Sequence, residues 1–327
     1  MKKVLVTGGA GFIGYYIVEE LVKRGYEAVV FDMSLPGGEV KWLYDQLNAD
    51  VKFFRGDVSE LASLLKVAMD NKVEAIVHGA ALTDVELLEN APLQSLKVNT
   101  VGTVNAMEVV RLLGLQRLVT TSTIAVYAPK QYEPMDETHP VLLPNAGPAL
   151  ATYTSAKIAA EAFGMHYWHQ YGTSFVGVRF SGVYGFGMKY PIYIKPLVEN
   201  AVKGIPTVFE SGGDARRDFV YVKDVAKGVL AALEAKESDL HQRIFNIAHG
   251  GALKNVFDLA EMVKLSIPAA AIEVGAGLTD YEAQIDKSRG ELSIASASQQ
   301  LKYKPMYDLK AGVKEYVEMY RQYINRE

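Results

Sequence analysis

The strongest constraint on this chain is a rhythm: short, apolar, β-branched runs alternate with helical patterns through its first half. "KVLVT" (Lys3–Thr7), "EAVVFD" (Glu27–Asp32), "VKFFRGD" (Val51–Asp57), "EAIVHGA" (Glu74–Ala80), "RLVTTS" (Arg117–Ser122) and "SFVGVRF" (Ser174–Phe180) read as strands. Between them Phe12–Lys23, Glu60–Asp70, Leu93–Leu113 and Tyr153–Tyr171 read as helices. Strands apolar on both faces need helices on both sides, which implies βα units and a doubly wound α/β domain with a parallel sheet. After about Val183 the elements shorten and the loops lengthen, with helices expected at Ile192–Lys203, Val222–Glu234 and Val256–Leu265. Residues 1–183 are therefore expected to form the sheet domain, and residues 184–327 mainly a smaller α+β lobe. Ligand sites usually lie between two such parts.

Composition excludes several function classes. The 327 residues carry a formal net charge of −4 with no long basic run, which argues against nucleic-acid binding and against a polybasic membrane contact. There is no cysteine, so no disulfide framework, thiolate metal site or cysteine nucleophile exists, and a reducing cytoplasm is the expected setting. "MKKVLV" opens like a signal peptide, but glycines interrupt the apolar run too early for one. No stretch approaches the roughly 18 apolar residues of a membrane helix.

The segment "VTGGAGFIGYYIVEEL" places Gly8, Gly11 and Gly14 between the first strand and the first helix. Glycine serves three needs here: a tight turn, close approach of backbone to a pyrophosphate, and close packing of helix on sheet. The anion then sits among free N–H groups at the positive end of the helix dipole. Asp32 ends the second strand, eighteen residues after Gly14, where a carboxylate accepts from ribose hydroxyls and repels a 2′-phosphate. Met33 and Ser34 follow, with no arginine for such a phosphate, so NAD is expected over NADP. Asp57 reads two ways, as an acceptor for the adenine amino group or as a helix N-cap.

"TYTSAK" sets Tyr153 four residues before Lys157 on an expected helix, a spacing that also arises by chance. The wider pattern resolves it. "TGGAGFIG", "HGAA" (His78–Ala81), "NTVGTVN" (Asn99–Asn105), "TSTIAVY" (Thr121–Tyr127), "YTSAK", "RRDFVYVKDVAKG" (Arg216–Gly228) and "LKYKPMYDLKAGV" (Leu301–Val313) occur in one order along nearly the whole chain. In this the sequence resembles the extended short-chain dehydrogenases/reductases of the NAD-dependent epimerase/dehydratase family. The resemblance implies a Rossmann domain and a catalytic set of Thr123, Tyr153 and Lys157. It also implies cofactor contacts from Gly8, Gly11, Phe12, Ile13, Gly14, Asp32, Asp57, Val58, Ala80, Asn99, Tyr153 and Lys157. Thr123 and Arg217 are the implied substrate contacts, with no metal. Family members pair through two long helices, here Leu93–Leu113 and Tyr153–Tyr171, so a homodimer is expected.

Two physical points accompany that resemblance. Tyrosine ionises near pH 10, so a base near neutrality needs a shift of about three units, or about 4 kcal/mol. An ammonium about 4 Å away supplies ~1 kcal/mol in water and ~4 at an effective dielectric near 20, so Lys157 is expected to suffice if the pair is half-buried beside the cofactor, whose cationic oxidised nicotinamide pushes the same way. After Thr123 the chain has Ile124 and Ala125, where the family's dehydratases carry an acid pair, so dehydration is disfavoured. A nucleotide-sugar epimerase is the leading expectation, oxidising a carbinol to a ketone and returning the hydride to the other face. A dehydrogenase of a smaller sugar, sugar acid or hydroxy acid is the alternative, favoured by Gly182 where the family's nucleotide-sugar enzymes carry a diphosphate-binding asparagine. A non-catalytic NAD-binding protein is the third class. Arg217 reads as a diphosphate partner or as a surface arginine beside Asp214 and Asp218, and His78 as a satisfied core histidine. Tyr167, Trp168 and Tyr171, and the tyrosines of "EYVEMYRQY", read as packing residues.

Overall fold

The computed structural model describes residues 3–141, 151–190, 192–286 and 289–326. Strands β1 (Lys3–Thr7), β2 (Glu27–Asp32), β3 (Lys52–Arg55), β4 (Ala75–His78), β5 (Arg117–Thr123) and β6 (Phe175–Phe180) alternate with helices as the sequence rhythm requires. The helices are α1 (Phe12–Lys23), α2 (Gly38–Gln46), α3 (Leu61–Asn71), α4 (Val85–Asn90), α5 (Pro92–Leu96), α6 (Gly102–Leu113) and α7 (Ala151–Tyr171). The remaining strands are β7 (Gly182–Tyr184), β8 (Thr207–Phe209), β9 (Phe219–Tyr221), β10 (Ile244–Ile247) and β11 (Ile272–Val274). With them come α8 (Ile194–Lys203), α9 (Val222–Glu234), α10 (Val256–Ser266), α11 (Asp280–Asp286) and α12 (Leu309–Ile324).

The main sheet has seven parallel strands in the order β10-β6-β5-β4-β1-β2-β3. Side chains alternate across it as period two demands. Val4 and Val6 face a core shared with α1, α9 and the C-terminal elements, whereas Leu5, Val29 and Phe31 face a second core under α3 and α6. The chain order reverses between β1 and β4, which opens a crevice at their C-terminal ends, where doubly wound sheets bind ligands.

Not all of the chain after Val183 leaves the sheet. β10 pairs with β6, and α9 packs against α1, so residues 222–247 complete the doubly wound layer. The small pairs β7–β9 and β8–β11 lie outside the main sheet. The single helix expected over Leu93–Leu113 is interrupted by a π turn at Lys97–Val101. The wider turn puts Asn99, fully buried, against the chain following β4. Such turns inside helices often mark functional positions.

Candidate active site

The glycine loop is built by contacts that leave no room for side chains. Gly8 has φ +73°, and a Cβ there would lie 2.7 Å from Ala80 N; at Gly14 it would lie 2.1 Å from Gly8 O. Gly11 begins α1 with no side-chain cap and no acidic residue in the first turn. The N–H groups of Phe12, Ile13 and Gly14 therefore lack intrahelical acceptors and meet no competing carboxylate. A groove of about 510 Å³ runs along this loop, lined by Gly8, Gly11, Phe12, Ile13, Gly14, Asp32, Val58 and Ala80. Asp32 is aimed into it by two backbone donors, Ala10 N at 3.1 Å and Ser34 N at 3.2 Å. A free anion seat, a carboxylate at the end of β2 and this volume fit a dinucleotide such as NAD.

Four of the expected cofactor residues do not line this groove: Tyr153 and Lys157, which stand on α7, and Asp57 and Asn99. Asp57 is not on the groove wall; its Oδ1 accepts from Ser59 N at 2.8 Å in a turn ahead of α3, where Glu60, not Asp57, is the N-cap. Asn99 sits behind the wall, where its amide accepts from Leu82 N at 2.8 Å and donates to Leu82 O at 3.0 Å. It shapes the Ala80–Thr83 segment that lines the groove. His78 works from the same layer. Thr103 gives its proton to Asn99 O, so His78 Nε2–H donates to Thr103 Oγ1 (3.1 Å), and Nδ1 accepts from Thr7 Oγ1 (2.9 Å). Burial, with Lys157 nearby, pushes His78 down to about 3, so it stays neutral.

Thr123, Tyr153 and Lys157 gather at the C-terminal end of β5 and the first turns of α7. The Lys157 ammonium lies 5.7 Å from the centre of the Tyr153 ring and donates to Thr121 O at 2.7 Å. Thr123 Oγ1 accepts from Ala125 N at 3.2 Å, which leaves its own proton free to donate. Ile124 and Ala125 are buried, and neither can act as acid or base. The offset expected from Lys157 belongs to a half-buried pair beside bound NAD; in the protein alone Lys157 is fully buried and desolvation dominates both groups. Burial pushes the Tyr153 phenol up to about 12, with Arg289 the cation that opposes it. Lys157 is itself drawn down to about 8 by burial. Desolvation exceeds the attraction because it acts on both members of the pair.

Arg289 belongs to no motif, and no local pattern in the sequence points to it. Tertiary structure brings it beside Arg217, where the two line a small pocket with Ile124 and Gly182. Among the described residues neither guanidinium has a carboxylate within salt-bridge distance. The surface reading of Arg217 named Asp214 and Asp218, but both are engaged elsewhere. Asp214 accepts from Gly277 N at 2.7 Å, and Asp218 from Ser181 Oγ at 3.2 Å and His249 N at 3.3 Å. Burial and the neighbouring Arg289 draw Arg217 down to about 10. The Gly182 N–H is not available to a ligand, since it donates to Asp218 O at 2.8 Å. A Cβ there would stand 3.0 Å from that same oxygen. The hydroxyls of Tyr190 and Tyr281, which act on both arginines, approach to 3.5 Å.

Comparison with known proteins agrees with this fold. A sequence profile described as the NAD dependent epimerase/dehydratase family matches residues 4–248. A putative UDP-glucose 4-epimerase of Methanocaldococcus jannaschii is 31% identical over 322 residues, spanning 96% of this chain and 97% of its own. The solved UDP-glucose 4-epimerase of Thermus thermophilus in complex with NAD is 26% identical, with a TM-score of 0.76 over 98% of this chain and 99% of that one. The UDP-glucose 4-epimerase of Thermotoga maritima, solved with UDP-glucose, has the same fold at a TM-score of 0.82 and 24% identity, covering 99% and 100% of the two chains.

Proposed function

The chain belongs to the NAD-dependent epimerase/dehydratase family, and from that premise we propose that it is a nucleotide-sugar 4-epimerase, with a uridine diphosphate sugar as substrate. The observation that carries the reading is the pair Arg217 and Arg289, half-buried and, among the described residues, without a carboxylate in salt-bridge distance, in a pocket lined by Ile124, with Arg289 acting on Tyr153. Two desolvated guanidiniums call for an anion with several oxygens, and a diphosphate accepts their forked donors. A small hydroxy acid would leave part of that charge unmet.

In this proposal Arg217 and Arg289 hold the diphosphate while the sugar stays free to turn. Thr123 donates to the reacting sugar oxygen, and Tyr153 takes the hydroxyl proton and later returns it, leaving the site unchanged after each cycle. Lys157 holds positive charge beside that phenol. Bound NAD supplies hydride acceptance and return. Its diphosphate is assigned to the N–H groups of Phe12, Ile13 and Gly14, and its adenosine ribose to Asp32. NAD is expected to bind at least tenfold tighter than NADP, because a phosphate facing Asp32 costs more than about 1.4 kcal/mol. Equal affinities by calorimetry would remove Asp32 from the ribose.

The direct test is incubation with UDP-glucose, chromatography for UDP-galactose, and absorbance near 340 nm. Product without accumulating NADH supports the epimerase. Stoichiometric NADH without an epimer, or activity only on a free sugar or sugar acid, supports the dehydrogenase.

A homodimer in a cytoplasmic setting is part of the proposal. Leu93 (65% exposed) and Leu96 (49%) on α5, with Phe163 (44%) and Tyr171 (51%) on α7, present apolar side chains from two helices that pack together. Such a patch fits a two-fold contact between copies. Light scattering is expected to give about twice the 35.9 kDa chain mass, and Leu93→Glu to reduce it to one chain.

A further inference from the structure

One turn beyond Lys157 on α7 stands a buried carboxylate that the scheme above does not use. Glu161 follows Lys157 by four residues, as Lys157 follows Tyr153, so all three occupy one helix face. Glu161 is 8% exposed and its partner Arg179, on β6, 5%. Their contact is bidentate, Arg179 Nε to Oε1 at 2.9 Å and Nη2 to Oε2 at 2.6 Å. Ser122 Oγ donates to Glu161 Oε1 at 2.6 Å.

The strand side of this contact is equally ordered. Thr121 receives the Lys157 ammonium through its carbonyl, Ser122 bonds Glu161, and Thr123 presents the hydroxyl assigned to substrate. Three consecutive residues of β5 are thus matched to successive positions of the site. The far face of Arg179 lies 4.6 Å over the Tyr127 ring, whose hydroxyl donates to Asn246 Oδ1 at 2.7 Å. A buried ion pair is seldom more stable than apolar residues of the same volume, so stability alone does not account for it.

We propose that the Glu161–Arg179 pair is a positioning element of the active site, locking α7 onto β5 and keeping a carboxylate one turn behind the Lys157 ammonium. This rests on reading Tyr153 and Lys157 as the proton-handling pair. The charged and titratable groups around Lys157 are few. Tyr153 and Glu161 flank it on α7, neutral His78 approaches from β4, Arg179 stands on β6, and Arg289 acts on Tyr153. Burial favours the neutral amine, and Glu161 is the group that opposes it. Neutralising Glu161 removes that opposition and leaves Arg179 uncompensated nearby, so Lys157 must release its proton at lower pH.

The test is a titration of Lys157 in the NAD-loaded protein labelled with ¹³C-lysine, its resonance assigned by loss in Lys157→Arg. In Glu161→Gln the midpoint is expected to fall by at least one pH unit. UDP-glucose turnover should then drop at least about fivefold at pH 8, where the parent Lys157 is about half charged, and by only about a tenth at pH 6. A midpoint unchanged from the parent, with only a lower melting temperature, overturns the proposal. If Glu161→Gln does not fold, Glu161→Gln/Arg179→Met replaces the charges by similar volume. There a smaller downward shift supports the proposal, and no shift overturns it. Failure of the parent protein to convert UDP-glucose counts against the epimerase reading, while the lysine titration still decides this one.

Discussion

Tyr153→Phe is expected to abolish turnover while leaving the fold and NAD affinity intact. The substitution removes one oxygen from a half-buried ring and leaves the ring's packing and its contact with the Lys157 ammonium in place. No hydrogen bond of that hydroxyl stabilises the described structure, so the melting temperature should not fall. The phenol nevertheless carries the only proton movement proposed for the reacting oxygen. The loss should reach about 10²–10⁴-fold in kcat, or about 3–5 kcal/mol of transition-state stabilisation. Because burial holds the phenol near 12, the parent's activity should rise with pH until Lys157, at about 8, begins to lose its charge. Near-normal turnover in Tyr153→Phe would remove the tyrosine from the mechanism.

The second large effect is expected at the two arginines. Arg217→Ala and Arg289→Ala should each weaken UDP-glucose binding by about 2–5 kcal/mol, from roughly thirtyfold to several-thousandfold, with NAD affinity unchanged. The double variant should lose less than the sum, because both cations serve one ligand group. Stability supplies an independent readout. Each guanidinium is desolvated and, among the described residues, has no carboxylate within salt-bridge distance, so its burial opposes folding. Alanine at either position should leave the melting temperature level or raise it. A purely structural arginine would do the reverse. If both variants keep the parent KM for UDP-glucose, the diphosphate assignment fails, and a dehydrogenase of a smaller substrate becomes the better account.

What could be read from the sequence shares one property: it depends on residues close together along the chain. The strand–glycine–helix unit at Gly8–Gly14 is local, since both the turn and the free N–H groups come from seven residues. Asp32 follows from strand length, and the Tyr153–Lys157 contact from helix pitch. The parallel sheet follows from strands apolar on both faces. Tertiary structure alone decided the rest, because burial and charge are set by elements distant in sequence. β10 returns to the edge of the sheet from beyond the second lobe's first strands, a pairing that a four-residue strand cannot announce. Asn99 reaches Leu82 from within a π turn that the sequence pattern did not announce. Arg289 joins Arg217 across 72 residues without any motif. The desolvation that raises the Tyr153 phenol was likewise set by tertiary structure, because pair spacing is visible in a sequence and the water excluded around the pair is not.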